Sequence, residues 1–234
     1  MRALKMGAMT STPDALWPAA RVRGTLALVA GRGEHTPVYE RFGRRLSADG
    51  YTVGVFEGDA DRAADWLSTA ESPRVLVGSD TGAGAVLRAL ARADVADGAI
   101  VAGLPLDAGT EVPSDAQRTA CPLHLGVLET NAQVASPVPS EQDDAPAAAD
   151  LAAVAVPVLA FHGSADDVAP IDETQELLSA LPDLEFVETV DGLHDALNDR
   201  SHRSVAATIV LWLERLREGD VHAPVVRSAQ AVLR

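Results

Sequence analysis

Short apolar runs alternate with amphipathic stretches along most of the chain. "TLALVA" (25–30) is a continuous apolar run of the kind buried on both faces of a sheet. "PVYERFGRRLSADG" follows, with Val38, Phe42 and Leu46 on one stripe and Gly50 placed to end a helix. The same alternation predicts strands at "YTVGVF", "RVLVG", "AIVAGLPL", "VPVLAFHG" and "LEFVETV". Helices are predicted at "DADRAADWLSTA", at the stretch after "GSDTG", at "DETQELLSAL" and at "RSVAATIVLWLERLR", where Val205, Ile209, Leu213 and Leu216 share a face. Strands alternating with helices at this spacing predict an α/β protein, a mostly parallel sheet with helices on both faces. Ligands of such sheets bind at the carboxyl ends of the strands.

Residues 107–155 break the pattern, with eight acidic residues, five prolines and one arginine, Arg118. They are expected to form a short irregular lid, and "CPLHLGVLETNAQVASP" within them is expected to add a short strand. The expected organisation is a single domain over 1–234, with the lid at 107–155 and a C-terminal extension at 219–234. The formal charge of −15 argues against nucleic acid and anionic membrane as partners, and 4% aromatics leave few stacking platforms. No apolar run approaches the ~20 residues of a membrane span or forms a signal peptide, so a cytoplasmic protein is expected. The single Cys121 excludes an intrachain disulfide and a cysteine metal cluster. No histidine–carboxylate spacing resembles a metal site, and no dinucleotide fingerprint follows a strand, so neither metal nor cofactor is expected.

Three loops carry candidate chemistry, each beginning at the carboxyl end of a predicted strand. In "GSDTG" (78–82), Asp80 occupies the centre of a sharp strand-to-helix turn. In "HGSADDVAP", Asp166 or Asp167 follows a buried strand, and in "DGLHDALND", His194 follows the last one. The order is nucleophile position, acid, histidine. Together with "GRGEHTPVYERFGRRLSADGYTV", these loops resemble the monoacylglycerol-lipase and lysophospholipase-like branch of the α/β-hydrolases, with its patterns HGxGEHxxxY, HGxxDxxxP and GxxHExxNE. The resemblance covers most of residues 24–217 and implies the α/β-hydrolase fold. It also implies Asp80 as nucleophile, Asp166 as acid, His194 as base, and the amides of Arg32 and Thr81 as the oxyanion hole. The chain departs from the pattern in three places. Asp80 replaces serine, Ala30 replaces the first histidine, and the segment after "VGVFEG" is short.

A carboxylate attacking an ester carbonyl would form a mixed anhydride, whereas attack on an sp³ carbon forms an ordinary ester that water can hydrolyse. The expected activity is therefore a cofactor-independent hydrolase of a small neutral molecule, of epoxide, alkyl halide, lactone or ester type. Two alternatives stand beside it: a catalytically silent binding protein in which Asp80 is paired with Arg32 or a protonated His194, and a hydrolase in which Asp80 acts as base and water attacks. Two carboxylates around one imidazole would raise its pKa. His124 and Asn131 are candidate substrate-binding residues. Ser79, His35 and His162 are read as packing or loop-orienting residues, Asp167 as a solvated neighbour, and Asp199 and His202 as capping or surface residues of the last helix. Oligomeric state is left open.

Overall fold

The computed structural model describes residues 11–107, 112–131 and 145–227. A seven-stranded sheet has the order β1-β3-β2-β4-β5-β6-β7. Its strands are β1 (Ala15–Trp17), β2 (Gly24–Ala30), β3 (Tyr51–Glu57), β4 (Arg74–Ser79), β5 (Gly98–Ala102), β6 (Val158–Gly163) and β7 (Leu184–Thr189). Only β1 runs antiparallel, placing Ala15 opposite Val55. Every residue of β2, β5 and β6 is buried, as their unbroken apolar runs predict.

Alternation along each strand sorts the side chains into two cores. Leu26, Leu28, Val75, Val77, Ile100, Leu159 and Phe161 face one side. There they meet α1 (Glu40–Ala48) through Phe42 and Leu46, and α8 (His202–Arg217) through Val205, Ile209, Trp212 and Leu213. Ala27, Val29, Leu76, Ala99, Val101 and Ala160 face the other side, against α2 (Ala60–Leu67) and α3 (Thr81–Arg92). The strand order reverses direction between β2 and β4, the switch point at whose carboxyl end such sheets place their ligand sites.

The predicted lid is more regular than expected. It contains α4 (Asp115–Arg118), α5 (Pro122–Asn131) and α6 (Ala148–Leu151), followed later by α7 (Ile171–Leu178). The short strand expected in 121–137 is instead helix α5 up to Asn131, and residues 132–137 lie outside the described residues. Period alone cannot separate a short buried strand from a helix. Here leucines dominate over β-branched residues, and His124 and Leu128, four apart, bury together on one helical face. Strand β1 was not expected. Three residues carry too little pattern, and β1 is fixed by its pairing with β3. The far end of the predicted C-terminal extension, 228–234, also falls outside the described residues, as do 1–10.

The bend after β4 requires glycine at position 82, because a Cβ there would lie 2.2 Å from the Val29 carbonyl oxygen. Gly126, inside α5, has open space around it. Gly82→Ala should therefore destabilise the protein by at least ~1–3 kcal/mol through overpacking. Gly126→Ala should stabilise it by up to ~1 kcal/mol through helix propensity. Urea midpoints moving in opposite directions would show both.

Candidate active site

Asp80 lies between β4 and α3 with φ 49° and ψ −127°, a conformation that costs a non-glycine residue roughly 1–3 kcal/mol. Its amide donates to the Ala102 carbonyl at 3.0 Å, and its own carbonyl accepts from Ala83 at 2.9 Å. Both bonds hold the bend. An aspartate at a helix N-cap ordinarily accepts from the helix amides. Asp80 does not, and its carboxylate turns toward Arg32 and His194 instead.

The carboxylate meets two cations there. His194 Nε2 lies 3.1 Å from Asp80 Oδ1. Arg32 Nη2 donates to Oδ1 at 2.6 Å, and Nε donates at 2.9 Å to Oδ2 and 3.1 Å to Oδ1. The Arg32 backbone amide also donates to Oδ2, at 2.7 Å. On the far side of the imidazole, His194 Nδ1 lies 2.8 Å from Asp166 Oδ2. Asp166 Oδ1 accepts the amides of Val168 and Ala169, and His162 Nε2 lies 3.1 Å from Oδ2. All four side chains of this chain, Arg32, Asp80, His194 and Asp166, are buried.

Burial opposes the charge of each group, and here the partners outweigh it. Desolvation works against the Asp80 carboxylate, yet the hydrogen bonds and charges of His194 and Arg32 hold it well below the usual carboxylate range. Asp166 is lowered likewise, against desolvation, by His162 and His194. Desolvation works against a charged His194 as well, but the hydrogen bonds and charges of Asp166 and Asp80 raise it to about 10. At neutral pH the chain therefore reads Arg32⁺, Asp80⁻, His194⁺, Asp166⁻, two charges of each sign in alternation.

The three loops expected to converge do so. Asp166 takes the acid position, while Asp167 is exposed. The Arg32 amide and guanidinium both reach the Asp80 carboxylate, the latter as in the alternative that pairs Asp80 with Arg32. Thr81 begins α3, and among the described residues its amide makes no hydrogen bond to Asp80. His124 and Asn131 are not placed as substrate contacts. His124 Nε2 is buried 2.7 Å from Asp195 Oδ2, because the helical face of α5 turns it inward, and the Asn131 amide donates to the Val127 carbonyl one helical turn back.

A second buried cluster was missed. Glu34 accepts from the Tyr39 hydroxyl, from the Gly31 amide at 2.7 Å, from Ser79 Oγ at 3.3 Å and from Arg118 Nη2 at 3.1 Å. Arg118 also pairs with Asp195 at 3.1 Å. Burial, followed by the nearby Asp195 charge, raises Glu34 despite Arg118. Asp199, expected to cap or face solvent, is buried, and accepts from Thr119 Oγ1, Ala120 N and Leu193 N. Lid and histidine loop are further joined by the Asp195 amide, which donates to the Arg118 carbonyl at 2.9 Å. The available signal was Glu34 and Tyr39 in "GEHTPVY" and Asp195 directly after His194, positions contained in the quoted motifs but given no role.

No protein-family model matches the chain, and its sequence matches no curated protein. Solved structures do match. Monoacylglycerol lipase of Paleococcus ferrophilus aligns with a TM-score of 0.64 at 18% identity, covering 86% of this chain and 98% of that one. A soluble variant of monoglyceride lipase from Saccharomyces cerevisiae, in complex with a substrate analogue, aligns at 0.70 and 15% identity over 86% and 90%. An esterase domain from a Rhodothermus marinus protein aligns at 0.60 and 18% over 86% and 91%.

The fold is that of the α/β-hydrolases. Within it, Asp80, Asp166 and His194 sit on the loops after β4, β6 and β7.

The raised His194 makes stability fall with rising pH. The folded protein keeps this proton up to about 10, while the unfolded chain releases it near 6.5. The contribution is complete below about pH 6.5 and is lost progressively as pH rises through about 10. Stability measured by urea denaturation across that window should decline, and His194→Gln should flatten the decline.

Proposed function

We propose that this chain is a hydrolase that opens small neutral epoxides through Asp80. The observation that carries this reading is His194 Nε2 lying 3.1 Å from Asp80 Oδ1, in surroundings that raise the imidazole and lower the carboxylate. Attack on an epoxide carbon needs both at once, a nucleophile and an acid. Asp80 Oδ1 forms a bond to the epoxide carbon, the carbon–oxygen bond of the ring breaks, and the Nε2 proton passes to the released alkoxide. The products of this step are a hydroxyalkyl ester on Asp80 and a neutral His194. With the Asp80 charge gone, His194 loses one of the two carboxylates that kept it protonated. It then takes a proton from water, whose hydroxide adds to the ester carbonyl. The Arg32 amide, 2.7 Å from Oδ2, holds the resulting oxyanion. Collapse releases a diol and restores the Asp80 carboxylate and the imidazolium.

An alkyl halide fits this site less well, since halide departure needs no proton and leaves His194 charged when a base is wanted. The lid carries no tyrosine, and the Arg32 guanidinium beside Oδ1 supplies the remaining positive charge for the departing oxygen. Neither metal nor cofactor has a role in these steps. The likeness to monoacylglycerol-lipase structures supports the fold on which this reading is built, while the aspartate directs the chemistry away from ester acyl transfer.

The guanidinium covering Asp80 favours a second reading, a silent ligand-binding protein whose triad is permanently ion-paired. One experiment separates the two. With enzyme in excess over a small panel of epoxides in ¹⁸O-water, the first turnover should yield an unlabelled diol oxygen and a heavy oxygen in the peptide carrying Asp80. Labelled diol with unlabelled Asp80 would mean that water attacks directly with Asp80 as base. No turnover of epoxides, alkyl halides, lactones or esters would establish the silent reading. Epoxide turnover should also stay flat through neutral pH and fall above about 10, as His194 loses its proton.

A further inference from the structure

A cavity of about 330 Å³ opens between α1 and the amino end of α8, away from Asp80. Its floor is apolar, made by Phe42, Leu197 and Ala206. Its walls are Arg41, Arg45, Arg203 and His202, and no acidic side chain lines it. That is unexpected in a chain with 34 acidic residues against 19 basic ones. Arg45 is paired with Asp49 on the exposed side of α1. Arg41 gives its hydrogen bonds to the Asn198 carbonyl and to Cys121 Sγ, neither of them a carboxylate. Arg203 makes no ion pair among the described residues. His202 and Arg203 form the first turn of α8, which contains no acidic residue. Positive side chains at that end of a helix oppose its dipole by roughly 0.3–1 kcal/mol each. His202 is lowered by burial and, in addition, by the charges of Arg41 and Arg203.

Cations are thus concentrated over an apolar floor that no carboxylate lines among the described residues, Asp49 pairing with Arg45 and Asp199 lying behind His202. We infer that this cavity binds a small amphiphilic carboxylate, with its head between Arg41 and Arg203 and its short aliphatic tail on Phe42, Leu197 and Ala206. A guanidinium fork matches a carboxylate in shape and hydrogen bonding. The volume lies at the lower end of the roughly 300–1,000 Å³ common for small-molecule sites, which limits the tail to a short chain. The site is lined by none of Arg32, Asp80, Asp166 and His194, so it stands independently of the hydrolase reading.

Calorimetric titration of the full chain at low salt tests it, with sodium octanoate as probe and 1-octanol, octylammonium and octyl phosphate as comparisons. Octanoate should bind saturably, octanol at least tenfold more weakly, and octylammonium not at all. Amide NMR shifts on adding octanoate should cluster at Leu197 and Ala206. Arg203→Glu changes an exposed side chain with no ion pair among the described residues and should weaken octanoate at least tenfold without lowering the melting temperature. Octanol binding as tightly as octanoate, octyl phosphate binding tenfold tighter, shifts confined elsewhere, or an Arg203→Glu variant with unaltered binding would each overturn the proposal.

Discussion

Charge alternation at the carboxyl end of the sheet is the constraint on which the rest of the site depends. Four buried ionic groups lie in one chain, and each carboxylate touches at least one cation. A charge taken out of water is costly unless paired and hydrogen-bonded, and removing one partner of such a pair typically costs about 3–5 kcal/mol. The chain meets that requirement by using backbone amides as well as side chains. Arg32 N, Val168 N and Ala169 N all donate to its carboxylates. The consequence for chemistry is direct. The same pairing that makes burial tolerable keeps Asp80 ionised and His194 protonated, so stability and reactivity have one origin.

Support for this chain comes from the lid rather than from the sheet alone. Arg118, on α4, joins Glu34 of the loop after β2 to Asp195 beside His194. Glu34 in turn holds the amide of Gly31, one residue before Arg32. Asp199 ties the segment leading into α5 to the residue preceding His194. The lid segment is therefore built into the loops that aim Arg32 and His194, and is not a separable cover. Loops positioned by a rigid scaffold commonly carry function, and here their mutual ion pairs supply the rigidity.

What could be read from the chain beforehand follows the range of the forces involved. The parallel strands are legible because burial on both faces leaves continuous apolar runs, as in "TLALVA" and "VLAFHG". Asp80 and Asp166 are legible because each comes within three residues of the end of such a run, and His194 because it follows the last predicted strand, which is only partly buried. Pairing of Asp80 with Arg32 stands among the alternatives read from the sequence, but its geometry is not legible, since spacing does not say where a long side chain folds back. The Glu34–Arg118–Asp195 cluster unites three distant segments, and no local pattern marks an ion pair across such separations. Helix α5 was read as a strand because a short apolar run satisfies both periods. His124 was assigned to substrate because its partner Asp195 lies 71 residues away.

Direct observation of the His194 ring tests the central claim most simply. ¹⁵N NMR of imidazole-labelled protein at pH 8 should show both ring nitrogens protonated, with titration only near 10 and its loss in Asp80→Asn displaced to lower pH. A ring already neutral at pH 8, with one protonated nitrogen and a midpoint near 6.5, would contradict the account.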